Sequence, residues 1–255
     1  SRQPCMIAQR FREDFKQFLL FVLSPSLVRR VPRSLVVTGW LSDWRPHIRL
    51  PRLLAWAATL WALNILVLGP LVLTVFELSG ATHRINVNNL PWLQALLWAP
   101  VVEEMLFRYG LRRPLLALGL VPVMLFVLLN GLAWWASSLL ALSVLVVWWL
   151  SARTRTPSAN GYRWLRRYRA VFPWVLHLSV LAFAALHIKN YVFDEMAWWM
   201  MVVLVAPQWV TGLVLSWIRV QRGIGATMLL HGIFNAGPLS VAWLALQLLG
   251  DGVGY

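Results

Sequence analysis

Residues 99–113 read APVVEEMLFRYGLRR and place Glu103, Glu104 and Arg108 inside an otherwise apolar run long enough to cross a bilayer. A charged side chain at the centre of a membrane helix costs about 3 kcal/mol on insertion scales, so such residues are rare there and functional by default. On a helix Glu104 and Arg108 stand four apart and neutralise each other as an ion pair. Glu103 is turned about 100° from that pair and stays available for chemistry. The question for the rest of the chain is what can meet Glu103.

Of the 255 residues 60% are hydrophobic and 13% charged, roughly half the ~25% charge that a soluble domain keeps on its surface. Several apolar runs exceed the ~18 residues of a membrane span, so the chain reads as an all-α, polytopic transmembrane helix bundle. A net charge of +14 would suggest nucleic acid in a soluble protein. Here the arginines lie mostly between spans, so the positive-inside rule and anionic lipids at the cytoplasmic face account for them, and no nucleic-acid partner is expected. The single cysteine, Cys5, excludes an internal disulfide and a multi-cysteine metal site. The first span begins only near Leu53, so no cleavable signal peptide is expected.

Residues 1–52 hold ten Lys/Arg against three acids, with prolines at 4, 25, 32, 46 and 51. Within them Phe11 to Val28 aligns Phe11, Phe15, Phe18, Leu19, Leu20 and Val22 for one apolar helical face. That predicts an amphipathic interfacial helix on a basic cytoplasmic segment, the alternative being a disordered basic tail. Residues 53–255 form the transmembrane domain, with spans at 53–76, 91–111, 114–129, 132–150, 171–189, 196–218 and 225–249. The uncharged run 114–150 is too long for one crossing and divides at Asn130-Gly131. With a cytoplasmic N-terminus the inside segments 1–52, 112–113, 151–170 and 219–223 carry ten, two, six and two basic residues. The outside segments carry Arg84, with Lys189 at the margin, so every loop agrees with seven crossings. Tryptophan pairs such as Trp134-Trp135, Trp148-Trp149 and Trp198-Trp199 fall near span ends and read as an interfacial aromatic belt.

Spans five and seven supply partners for Glu103. The fifth contains FAALH, with Phe183 and His187 four apart, and the seventh contains HGIFN, with His231 and Asn235 four apart. Taken singly these are weak signals, since a histidine or asparagine in a membrane helix is more often interhelical glue. Their conjunction on three spans assembles a carboxylate, two imidazoles and a carboxamide. Those groups suit peptide hydrolysis, in which a base activates water and donors meet the developing oxyanion. His177 is turned off the His187 face and reads as structural, while His47 and His83 fall in polar loops and read as solvated.

The three stretches resemble the motifs of the CAAX protease and bacteriocin-processing family, the Rce1-type intramembrane endopeptidases. E-E-x-x-x-R matches Glu103, Glu104 and Arg108; F-x-x-x-H matches Phe183 and His187; H-x-x-x-N matches His231 and Asn235. The resemblance covers residues 95–237 in family order. It implies that Glu103 and His187 activate the attacking water and that His231 and Asn235 stabilise the oxyanion, with Glu104, Arg108 and Phe183 in support. The substrate it implies is a membrane-anchored protein or peptide. Spans three and four lie between the first two motifs and read as an inserted hairpin that leaves the motif helices antiparallel. Counting about 1.5 Å per residue puts Glu103 and His231 ~13–14 Å from their cytoplasmic arginines and His187 ~21 Å from Pro173.

Glu103, His187 and His231 are also a chemically suitable set for Zn²⁺, but no H-E-x-x-H helix is present. Metal-independent catalysis by a glutamate in an apolar setting is the preferred expectation. A bacterial inner membrane is the expected location. Two other readings stand beside the protease: a non-proteolytic immunity or scaffold protein of the same fold, and a proton-coupled transporter.

Overall fold

A computed structural model of the protein describes residues 3–27, 41–84, 90–153, 159–193 and 195–250. Its helices are α1 (Gln3–Leu23), the short α2 (Leu41–Trp44), α3 (Leu50–Ser79), α4 (92–111), α5 (Pro114–Asn130), α6 (Trp134–Arg153), α7 (Ala159–Leu186), α8 (Trp198–Arg222) and α9 (Ile224–Gly250). A single 3-10 turn, His187–Asn190, continues α7. Beyond it β2 (Tyr191–Val192) pairs antiparallel with β1 (Thr82–His83), in the register Thr82 to Val192. His83 is therefore not a free loop residue: its ring meets Tyr191 edge-on at 5.3 Å.

A helix stands in each of the seven expected span positions. Four segments, Leu50–Ser79, Arg163–Asn190, Trp198–Arg222 and Ile224–Leu248, are long and apolar enough to cross a membrane; Pro114–Asn130 and Trp134–Leu150 are shorter apolar helices. The remaining one, α4, carries Glu103, Glu104 and Arg108. The protein is an all-α integral membrane protein. The expected division of 114–150 falls where Gly131 takes a positive φ of 65° at the α5–α6 turn.

Local sequence explains the irregular helices. In α3 a π turn over Asn64–Leu68 is followed by Gly69-Pro70, and in α4 one over Gln94–Trp98 is followed by Ala99-Pro100. Proline has no N–H and its ring rejects the carbonyl four residues back, so the preceding turn widens to the i+5 pattern. A third π turn, Glu104–Arg108, has no such proline and lies within the first motif.

Two buried clusters share α4 as their seam. One joins α1, α3, α7, α8 and α9 around Trp56, Trp217, Phe172, Leu176 and Phe234. The other joins α4 to α5 and α6 through Trp98, Val102, Met105, Met124 and Ala136. Trp56 and Trp217 are wholly buried while Trp134 and Trp198 are exposed, so an aromatic belt accounts for only part of the tryptophan content. The helix α9 approaches α4 closely because Gly232 has no side chain: a Cβ there would sit 2.6 Å from the Leu96 carbonyl oxygen.

The N-terminal segment forms the expected helix, and its Phe11, Phe15 and Phe18 rings lie 5.2, 6.0 and 5.4 Å from Trp56. Leu19, Leu20 and Leu23 form its exposed apolar side. The buried Asp14 pairs with Arg52 at 2.5 Å, which ties α1 to the first turn of α3. An amphipathic pattern reports an apolar partner without saying whether it is protein or lipid. Residues 28–40, with the arginines at 29, 30 and 33, lie outside the described residues, as do 85–89, 154–158 and the tail from 251.

Candidate active site

The motif residues of α4, α7 and α9 converge. Arg108 Nη1 donates to Glu104 Oε1 at 3.1 Å, with both side chains fully buried, as the four-residue spacing predicts. Glu104 does not belong to Arg108 alone, because His231 Nδ1 lies 2.9 Å from the same oxygen. The hydroxyl of Thr227, one turn before His231, borders that carboxylate too. Thr227 was not legible as a site residue, although its position four before His231 on α9 is the signal that marks it.

Glu103 is 8% exposed, and its Oε2 has no hydrogen-bond partner among the described residues. That oxygen lies 3.7 Å from His231 Nε2. The expectation that Arg108 engages Glu104 and leaves Glu103 available therefore holds, with one change. Both glutamates face the same imidazole, His231, rather than diverging to separate partners. The π turn that begins at Glu104 is the local reason, since its wider winding alters the α-helical spacing of about 100° per residue.

Phe183 is the hub between the motifs. Its buried ring lies 3.7 Å from the Arg108 guanidinium carbon and 4.7 and 5.9 Å from the His187 and His231 rings. His187 Nδ1 bonds the Phe183 carbonyl oxygen at 2.8 Å. A carbonyl only accepts, so Nδ1 carries the proton and Nε2 of the neutral ring is left as the basic nitrogen. These contacts join His187 to Phe183, whose ring also meets His231 and Arg108. Asn235 Nδ2 donates to the Ala95 carbonyl oxygen at 2.8 Å, which spends one amide hydrogen on docking α9 to α4 and leaves the other. Glu103, His187 and His231 were the possible zinc ligands; among the described residues no three His, Cys, Asp or Glu side chains gather as a metal-binding group.

The end of α4 is held by other helices. A helix leaves its last carbonyls unbonded, and in a membrane they need partners. Ser179 Oγ donates to Phe107 O at 2.5 Å, and Arg219 donates from Nε to Arg108 O at 3.1 Å and from Nη2 to Tyr109 O at 3.3 Å. The Tyr168 hydroxyl lies 3.4 Å from Gly110 O and 3.2 Å from Leu111 O. Five successive carbonyls thus meet side chains of α7 and α8. In return Arg112 donates from Nε to Val220 O of α8 at 3.1 Å. Sequence reading took Arg219 and Arg112 as topology charges only.

Gly212 of α8 makes room for this packing. A Cβ there would stand 3.1 Å from Phe183 Cδ1, 3.1 Å from Val180 Cγ1 and 3.2 Å from Arg108 Nη2. Gly212→Val is expected to overpack the site and cost about 1–3 kcal/mol. A lowered melting temperature of the purified protein in detergent checks this; an unchanged one means that α8 can move aside without loss.

Residues 86–237 match the family described as type II CAAX prenyl endopeptidase Rce1-like. No curated protein matches the chain, and no solved structure does.

Proposed function

The chain belongs to the Rce1-like family of type II CAAX prenyl endopeptidases, and from that membership we propose that it hydrolyses a peptide bond near the membrane-anchored end of a protein or peptide. Glu103 acts as general base on the attacking water. The observation that carries this is its buried carboxylate oxygen without a hydrogen-bond partner among the described residues, on a side chain free of the Arg108 and His231 bonds that Glu104 Oε1 accepts. His187 assists through Nε2, the nitrogen freed by the bond from Nδ1 to Phe183.

On this reading His231 meets the oxyanion with Nε2–H. The His231 ring is held for this by Glu104 Oε1 at Nδ1, with Nε2 toward Glu103. The second amide hydrogen of Asn235 is the other donor. The step balances: water adds to the carbonyl carbon, its proton passes to Glu103, and that proton leaves with the amine when the C–N bond breaks. We propose catalysis without metal, because a carboxylate base in an apolar setting suffices for the step. Seven spans, a cytoplasmic N-terminus, anionic lipid at the cytoplasmic face, a bacterial inner membrane and a water-filled gap between α4, α7 and α9 complete the proposal.

The test is cleavage of a lipid-anchored peptide by the purified protein in vesicles. Wild type is expected to cleave, His187→Ala to lose about 10²–10⁴-fold in rate, and a chelator to change the rate by less than about twofold. Chelator inactivation reversed by Zn²⁺ overturns the metal-free mechanism. A wild type inert toward prenylated and other anchored peptides alike favours the scaffold reading.

A further inference from the structure

We propose that Asp43 and Arg219 are positioning residues through which the N-terminal segment holds the glutamate helix in its working register. This inference rests on the protease reading and deepens it. The side chain of Arg219 is wholly buried at the last turn of α8, where an ordinary helix-end arginine would reach toward water. All three of its nitrogens are engaged: Nη1 with Asp43 Oδ1 at 2.5 Å, Nε with Arg108 O at 3.1 Å and Nη2 with Tyr109 O at 3.3 Å.

What Arg219 grips is the backbone of the residue whose own side chain holds Glu104. The links then run from Arg108 to Glu104, from Glu104 to His231, and from His231 to within 3.7 Å of Glu103. A guanidinium buried against carbonyls alone keeps an uncompensated charge, so Asp43 is what allows Arg219 to stay there. Asp43 lies outside residues 86–237, the part that matches the family. Its seat is shaped for it: a Cβ at Gly223 would stand 2.7 Å from Asp43 O, and φ at Gly223 is +100°, so the α8–α9 turn admits the α2 backbone only as glycine. Lysine cannot replace Arg219, because one ammonium does not span a carboxylate and two carbonyls in fixed fork geometry.

The experiment uses the full chain in lipid nanodiscs, with three proteins compared: wild type, Arg219→Lys, and the neutral pair Asp43→Asn/Arg219→Gln, which leaves no uncompensated charge. Two quantities are read: kcat and KM on an anchored peptide, and hydrogen exchange of the amides in residues 104–113. Both altered proteins are expected to lose about 10- to 100-fold in kcat, with KM changed by less than about twofold and faster exchange in 104–113. A purely structural or charge-balancing role predicts instead that Arg219→Lys restores kcat. Wild-type kcat in Arg219→Lys, or unchanged exchange in the neutral pair, overturns the proposal. An inert wild type would count against the protease reading, while the exchange comparison would still decide whether Arg219 holds the helix.

Discussion

Glu103→Gln is expected to leave the protein in the membrane at wild-type abundance and to abolish cleavage. The substitution keeps the shape of the side chain and removes its basicity. Glu103 does little structural work: its Oε2 lies 3.7 Å from His231 Nε2 and has no hydrogen-bond partner among the described residues. The stability change should stay within about 1 kcal/mol, while loss of a general base lowers the rate by about 10²–10⁴-fold. The check is a gel assay of the anchored substrate beside a fluorescence measurement of the amount of folded enzyme. Cleavage at the wild-type rate by Glu103→Gln would falsify Glu103 as the base.

The neighbouring residue should behave in the opposite way. Glu104→Ala removes the partner of a fully buried Arg108 and the acceptor of His231 Nδ1 in one change. Breaking one side of a buried ion pair costs about 3–5 kcal/mol, a large share of a total stability of about 5–15 kcal/mol. Folded protein in the membrane is therefore expected to fall several-fold. The neutral pair Glu104→Gln/Arg108→Met should recover abundance, since neither partner of that ion pair is left buried alone. It should not recover cleavage, because His231 is still without its carboxylate. Normal abundance of Glu104→Ala would mean that water or lipid headgroups reach Arg108.

The helical spacing carried much of the site. Glu104 with Arg108 and Phe183 with His187 are each four apart, and each pair makes contact within its own helix. The same spacing put His231 and Asn235 on one face of α9, and both reach α4. What spacing does not reveal is which acid faces which base across helices. His231 takes Glu104 at hydrogen-bond distance and Glu103 at 3.7 Å because of how α4 winds and how closely Gly232 lets α9 approach. Arg219, Tyr168 and Ser179 were missed for a related reason. A sequence shows that a carbonyl row needs donors only after the packing shows which carbonyls lack helical partners. The aromatic face of α1 was visible as an apolar stripe, yet only packing tells Trp56 from lipid as its cover.

The carbonyl row at the end of α4 also bears on biosynthesis. Residues 107–111 are made well before Ser179, Tyr168 and Arg219, which come from α7 and α8. Tyr109 O already accepts from the Arg112 and Arg113 backbone N–H groups, but the other carbonyls of the row meet their side-chain donors only when the later helices arrive. The glutamate pair sits on that same helix, and His231 arrives later still on α9. On the proposed function, hydrolytic capacity would appear only once α9 has brought His231 to the glutamate pair.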